Sequence, residues 1–182
     1  MSIGEHAPLD RPLVVPMSWE EYERLDPDVR QEYVSGCLVV NPRPTFRHQV
    51  MVRNLTNVLD AACPPDYTAV NEWAWKPEAD EWAPDVMVCE RDDDAVRFTG
   101  IPQVIVEVLS TNRADDLVLK LYRYGAAGLP RYWIADPLEP SVRAYVLRDG
   151  IYEEVAHAIG DDEVEFDFSV GRVTLRPSDL LR

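Results

Sequence analysis

The feature that most limits how this chain can fold is its most continuously apolar segment, residues 101–109. A run of this kind is typical of a β-strand that is covered on both faces. A helical segment follows, which begins near Asn112 and ends at Gly128, and a second strand-like segment covers residues 131–136. Strand, helix and strand at this spacing predict a crossover that places two parallel neighbours in one sheet.

The other segments complete a mixed α/β pattern. Ser18 and Glu21 form a capping box that predicts a short helix over residues 19–25, and residues 47–62 carry apolar side chains at helical intervals. Further strands are predicted at residues 34–40, 68–75, 84–89, 164–168 and 172–175, with a hairpin at 142–156 around Asp149-Gly150. The expected fold is therefore a mixed central sheet flanked by helices and extended by a C-terminal β-hairpin.

The chain reads as one domain preceded by a short arm. Its 182 residues are a single-domain length, and they contain no internal repeat and no linker. Residues 1–16 are polar and proline-containing, which predicts a mobile N-terminal arm, and residues 17–182 form the domain. No apolar run is long enough for a membrane span, and the N-terminus lacks the pattern of a signal peptide, so we expect a cytoplasmic protein with no membrane partner.

The charge balance argues against one class of function. The chain has 18 basic and 33 acidic side chains, a net charge of −15 at pH 7. Non-specific binding to nucleic acid needs a basic surface that neutralises phosphates, so a tight, constitutive DNA binder is disfavoured. Arg43, Arg47 and Arg53 lie near His48 and are the candidates for a local basic rim.

Two carboxylates stand where apolar strand residues are expected. Glu107 lies within the apolar segment 101–109, where a carboxylate without a partner would cost several kcal/mol. Asp85 follows Pro84 and precedes an apolar run, which predicts a strand end. Two carboxylates at adjacent strand ends are oxygen ligands suited to Mg²⁺ or Mn²⁺. The alternatives are that Glu107 meets solvent at the sheet rim and that Asp85 only forms a turn.

Lys120 is one of only two lysines among the 18 basic residues, the other being Lys76. It follows Leu117 by three positions and precedes Tyr124 by four, so it lies on or beside the inward face of its predicted helix. A compact ammonium can position a water and offset charge that develops on phosphorus, whereas a guanidinium is planar and larger. The alternative is that Lys120 extends its ammonium to solvent.

Several linked motifs occur in order along the chain. They are Glu32-Tyr33, Arg47-His48-Gln49, Ala83-Pro84-Asp85-Val86, Val104-Ile105-Val106-Glu107-Val108-Leu109-Ser110, Asp116 with Lys120, Tyr124 and Gly128, and Tyr132-Trp133-Ile134-Ala135-Asp136. This pattern resembles the bacterial Uma-type family of restriction endonuclease-like proteins, long catalogued as a domain of unknown function and assigned to the PD-(D/E)XK nuclease superfamily. The resemblance covers residues 18–147 and implies a restriction-endonuclease-like core.

The resemblance implies roles for three residues in particular. Asp85 and Glu107 match the two acidic residues of the superfamily motif, which bind a divalent cation, Mg²⁺ or Mn²⁺. The usual motif has a lysine two positions after the second acid, but Leu109 stands there in this chain. The resemblance instead implies that Lys120, on the next helix, has the role of the motif lysine.

The same resemblance implies roles for two further residues. Glu32 corresponds to an acidic residue before the core that helps to bind metal or water, and His48 corresponds to a histidine near the same cleft. Taken without the family, Glu32 reads as a solvated charge and His48 as a residue that bonds locally at a helix start. The chain departs from the family at Ser35 and Cys37, where acidic residues are more common, and at Arg131, where glutamate is common.

The expected function is that of a metal-dependent endonuclease that hydrolyses DNA and forms a homo-oligomer, in the simplest case a dimer. Asp85, Glu107, Lys120, Glu32 and His48 are the expected catalytic residues, and Asp85 and Glu107 are the expected metal ligands. Two alternatives use the same fold. One is a non-catalytic, self-associating interaction module, and the other is a metal-dependent hydrolase of small phosphate esters.

Overall fold

The computed structural model describes residues 11–25, 31–110 and 114–182, and it gives only the backbone of residues 114–118. Two expectations therefore lie outside the described residues: the first ten residues of the N-terminal arm and the start of the third helix at Asn112. The side chain of Asp116 also lies outside them. The first helix ends at Tyr22 with Glu23 as its C-cap, so it is shorter than the predicted residues 19–25.

Eleven strands and three α-helices make up the described chain. The strands are β1 (Leu13–Pro16), β2 (Gln31–Val34), β3 (Cys37–Val40), β4 (Tyr67–Val70), β5 (Val86–Glu90), β6 (Val104–Val108), β7 (Arg131–Asp136), β8 (Ser141–Arg148), β9 (Ile151–Ile159), β10 (Val164–Asp167) and β11 (Arg172–Leu175). The helices are α1 (Trp19–Tyr22), α2 (Phe46–Ala61) and α3 (Ala114–Ala126), and a 3₁₀ helix spans Pro177–Leu181. Among the described residues, no helix is both long enough and apolar enough to cross a membrane.

A six-stranded mixed sheet forms the centre, in the order β4-β5-β6-β7-β8-β9. Only β6 and β7 are parallel among these pairs, with Ile105 opposite Tyr132. Helix α3 connects these two strands, so the predicted crossover is confirmed. The capping box of Ser18 and Glu21 is also confirmed, because the backbone N–H of each residue donates a hydrogen bond to the side-chain oxygen of the other.

Two hydrophobic clusters cover the sheet, and strand residues alternate between them. The even residues of β5 and β6, such as Val88 and Val106, belong to the cluster that includes α2. The odd residues, such as Met87 and Ile105, belong to the cluster around Tyr124 of α3. Because side chains alternate along a strand, each cluster occupies one face of the sheet.

The N-terminal third differs from the sequence-based expectation in two respects. Residues 34–40 form a hairpin rather than one strand, because Ser35 and Gly36 both take positive φ angles, of 52° and 76°, in the tight turn between β2 and β3. Strand β1 pairs with β3, so the last four residues of the predicted arm are part of a three-stranded sheet. Residues 13–15 are a short apolar run between Pro12 and Pro16, and a run of this length does not by itself predict a strand.

The two C-terminal hairpins have different positions. Strands β8 and β9 turn at Asp149 and Gly150, with φ angles of 50° and 80°, and extend the central sheet at its edge. Strands β10 and β11 form a separate two-stranded sheet. Phe166 of β10 packs on Trp133 of β7 with a ring separation of 5.2 Å, which joins the second hairpin to the main core.

We predict that Phe166→Ala lowers the free energy of unfolding by about 3–5 kcal/mol, because the removed ring leaves a cavity in a packed interior. Phe166 is fully buried, whereas Phe46 is 83% exposed and provides the same substitution at the surface. Chemical denaturation of both variants should show Phe46→Ala close to wild type. An equally small effect of Phe166→Ala would mean that the C-terminal hairpin does not contribute to the core.

Candidate functional site

The site begins with two strand ends that lie side by side. In the antiparallel pairing of β5 and β6, Val86 is opposite Val106, and the continued register places Asp85 opposite Glu107. The backbone N–H of Val108 donates a hydrogen bond of 2.8 Å to Oδ2 of Asp85. The Asp85 carboxylate thus continues the ladder past the end of β5, while the Pro84 carbonyl accepts a hydrogen bond from the Glu72 N–H.

Helix α3 brings a cation to Glu107. Lys120 Nζ lies 3.0 Å from Glu107 Oε1, and Tyr124, one turn further on, donates a 2.8 Å hydrogen bond from its hydroxyl to the same oxygen. The spacing of four residues puts both side chains on one helical face. Burial, and then the nearby charge of Glu107, hold the pKa of Tyr124 well above its ordinary value, so the phenol remains a proton donor.

Glu32 reaches the same cluster from the small sheet. Its Oε1 accepts a 3.2 Å hydrogen bond from the Ala83 N–H and lies 4.0 Å from Lys120 Nζ. Its Oε2 accepts a 3.1 Å hydrogen bond from the side-chain amide of Asn41. These contacts join strand β2 to the segment that leads into Asp85.

His48 reaches Asp85 from the first turn of α2. Thr45 caps this helix, with its hydroxyl accepting a hydrogen bond from the His48 N–H. The His48 imidazole Nε2 lies 3.3 Å from Asp85 Oδ2. The other ring nitrogen, Nδ1, is buried and has no hydrogen-bond partner among the described residues. His48 and the Val108 N–H of β6 therefore contact the same oxygen of the Asp85 carboxylate.

The structure brings all five expected residues into one buried group. The exposed fractions are 0% for Asp85, 1% for His48, 2% for Glu107, 5% for Glu32 and 6% for Lys120. The alternatives that Glu107 meets solvent, that Glu32 is a solvated charge and that Lys120 extends to solvent are therefore wrong. Two carboxylates of this group, Glu107 and Glu32, lie within 4.0 Å of the Lys120 ammonium.

Two contacts in the cluster were not expected from the sequence. The spacing of four residues between Lys120 and Tyr124 predicts a shared helical face, but it does not indicate that the Tyr124 hydroxyl binds Glu107. Asn41 precedes Pro42, which is typical of a turn, and no local pattern indicates that its amide binds Glu32. This contact depends on the pairing of β2 with β3.

Asp85 and Glu107 provide the chemistry for a divalent cation. Mg²⁺ commonly binds one or two carboxylates together with waters and substrate phosphates, and Mn²⁺ prefers the same oxygen ligands. The donor set therefore fits either ion. Among the described residues, no group of three or more His, Cys, Asp or Glu side chains is arranged to hold a metal ion.

The tryptophans near the site have a packing role. Trp75 and Trp82 are buried, and their rings contact each other and Tyr124 at 5.1–5.5 Å. They support α3 beneath Lys120.

Comparison with known proteins concerns the family and the fold of this chain. The Uma2 family model, described as "Putative restriction endonuclease", matches residues 19–172. A crystal structure of a "putative nuclease belonging to DUF820" from Anabaena variabilis aligns with a TM-score of 0.72 and 20% identity, and it covers 91% of this chain and 98% of that chain. At this identity the likeness shows the fold alone, and it confirms the expected α/β architecture. No curated protein is significantly similar to the chain. The match over residues 19–172 shows that the chain belongs to the Uma2 family.

Proposed function

We propose that this protein is a nuclease that hydrolyses phosphodiester bonds of DNA and depends on Mg²⁺ or Mn²⁺. The observation that supports the proposal most directly is the buried contact of 3.0 Å between Lys120 Nζ and Glu107 Oε1, next to a second carboxylate from Asp85. Membership of a family whose model is described as "Putative restriction endonuclease" supports the same chemistry and supports DNA as the substrate.

In this proposal Asp85 and Glu107 hold the divalent cation. Their strand ends are fixed relative to each other by the β5–β6 pairing and by the hydrogen bond between Val108 and Asp85. When bound, such a cation supplies a Lewis acid that polarises a phosphoryl oxygen. The rigid sheet keeps the two carboxylates close to the geometry they need before any ligand arrives.

Lys120 acts on the nucleophile and on the phosphate. Hydrolysis forms a bond between a water oxygen and phosphorus and breaks the bond to the leaving sugar oxygen, while negative charge grows on the phosphoryl group. The Lys120 ammonium donates hydrogen bonds to the incoming water and offsets that charge. Glu107 and Glu32 lie 3.0 and 4.0 Å from the lysine Nζ and restrict the positions that it can take.

His48, Glu32 and Tyr124 are positioning residues in this scheme. His48 orients Asp85 through the contact at 3.3 Å. Tyr124 fixes one oxygen of Glu107, and Glu32 limits where the Lys120 ammonium can lie. Residues that orient metal ligands commonly affect metal affinity by about 10–100-fold.

We predict that Lys120→Ala lowers kcat for DNA cleavage by about 10²–10³-fold, since a preorganised charge at the reacting group is lost. Lys120→Arg should lose activity as well, because the planar guanidinium does not fit where the ammonium lies between two carboxylates. The measurement is cleavage of supercoiled plasmid and of single-stranded DNA in Mg²⁺ or Mn²⁺. Lys76→Ala is the matched control, since this only other lysine lies elsewhere, over the ring of Trp19.

Equal cleavage by wild type, Asp85→Asn and Lys120→Ala would contradict the nuclease proposal. If the wild type neither binds Mn²⁺ in calorimetry nor cleaves DNA, yet forms a stable oligomer, a self-associating interaction module would explain the family fold better. Cleavage of model diesters without cleavage of DNA would instead identify a hydrolase of small phosphate esters.

We predict that His48→Ala weakens Mn²⁺ binding by about 10–100-fold while Asp85 and Glu107 remain in place. Isothermal titration calorimetry measures this affinity directly and does not depend on turnover. His157→Ala is the matched control, because this residue lies on the edge strand β9. Unchanged Mn²⁺ affinity in His48→Ala would show that the contact with Asp85 has no influence on the cation.

A further inference from the structure

A cavity of about 350 Å³ opens directly beside Lys120. Its lining residues include Lys120 and Glu32, which belong to the buried cluster described above. The β1–β3–β2 sheet forms one wall and α3 forms the other, with Val14, Val39 and Leu119 among the lining side chains. The cavity is therefore continuous with the proposed catalytic site, and most of its wall is apolar.

Arg123 places a second cation at this cavity. It follows Lys120 by one helical turn, and both side chains line the same space. Its guanidinium donates a 3.3 Å hydrogen bond to the Ser35 hydroxyl, and among the described residues no carboxylate forms an ion pair with it. In a chain with a net charge of −15, such a guanidinium is a candidate partner for an external anion.

The β2–β3 turn holds the Ser35 hydroxyl in place. Ser35 and Gly36 have positive φ angles, and the Ser35 N–H donates a 2.8 Å hydrogen bond to Asp80 Oδ1. This bond connects the turn to the loop that contains Asp80. The Arg123 guanidinium contacts the turn at Ser35, and both residues line the cavity. A fixed guanidinium loses less conformational entropy when it binds a phosphate.

The size and the lining restrict what can occupy the cavity. Its volume of about 350 Å³ lies at the lower end of the range for small-ligand sites, roughly 300–1,000 Å³. Paired and stacked bases of an intact duplex cannot enter a space of this kind unless one nucleotide leaves the stack. Apolar walls next to two cations match a nucleotide, which has an apolar base face and an anionic phosphate.

We propose that this cavity binds an unpaired nucleotide of the substrate next to the bond that is cleaved. The Arg123 guanidinium binds the phosphate of that nucleotide, and Val14, Val39 and Leu119 contact its base. The inference rests on the proposed nuclease function and adds that the preferred substrate is single-stranded DNA or DNA with an unpaired nucleotide.

Binding of fluorescein-labelled oligonucleotides tests this proposal without requiring turnover. A single strand of about 12 nucleotides and a hairpin duplex of the same sequence are compared by fluorescence anisotropy, in EDTA and in Ca²⁺. We expect the single strand to bind about tenfold more tightly than the duplex, because about 1.4 kcal/mol is gained when one base is buried against apolar side chains. Arg123→Gln should weaken single-strand binding about tenfold or more, because a charge-assisted phosphate contact is lost.

Two control variants separate this cavity from general electrostatics. Arg91→Gln removes an exposed arginine that follows the opposite end of β5, and it should bind single strands as the wild type does. Leu119→Glu adds a carboxylate at the cavity, whereas Leu138→Glu adds one at an exposed leucine outside the residues that line it. Only Leu119→Glu should weaken single-strand binding by more than a few-fold.

Three results would overturn the proposal: no detectable binding of the single strand, equal affinity for single strand and duplex, or Arg123→Gln binding as tightly as Arg91→Gln. The nuclease proposal fails separately. If the wild type binds single strands with the expected dependence on Arg123 but cleaves no DNA in Mg²⁺ or Mn²⁺, the cavity assignment stands and the catalytic assignment does not.

Discussion

The ion pair between Lys120 and Glu107 is the interaction on which the arrangement of the site depends. Each charge removed from water costs several kcal/mol, and a good partner geometry is needed to offset that cost. Here the pair is 3.0 Å apart, and a hydrogen bond from Tyr124 adds to it. Removing either member would leave the other charge buried beside the remaining carboxylates. The cluster therefore links α3 firmly to the end of β6, and any reorganisation of the helix would disturb both carboxylate strand ends.

The net charge of −15 has a different meaning once the fold is known. Part of the acidic excess is internal, since Glu32, Asp85 and Glu107 are almost fully buried and do not present a surface that repels DNA. Cationic side chains are placed locally instead, with Lys120 and Arg123 lining one cavity. A chain of this composition is poorly suited to non-specific duplex binding, but it can hold a single nucleotide close to two cations.

Much of the fold followed from local patterns. The apolar segment around β6, the helix that ends at Gly128 and the strand Arg131–Asp136 determined the parallel crossover, because few topologies accommodate such a unit. The Ser35-Gly36 turn was missed, since the apolar residues on both sides suggested one continuous strand. The pairing of β1 with β3 is a contact between distant segments, and no local propensity specifies it.

The sequence by itself determined which residues are the candidates for the chemistry. Asp85 and Glu107 are acids next to or within apolar strands, and Lys120 is a rare lysine on an inward helical face, so each is recognisable from its neighbours. Only the tertiary structure decided how they meet. The register of β5 against β6 places the two carboxylates opposite each other, and the packing of α3 determines that Lys120 contacts Glu107 at 3.0 Å and Glu32 at 4.0 Å. The reason is physical: side-chain periodicity is a local property of the chain, whereas distances between strands and helices depend on long-range packing.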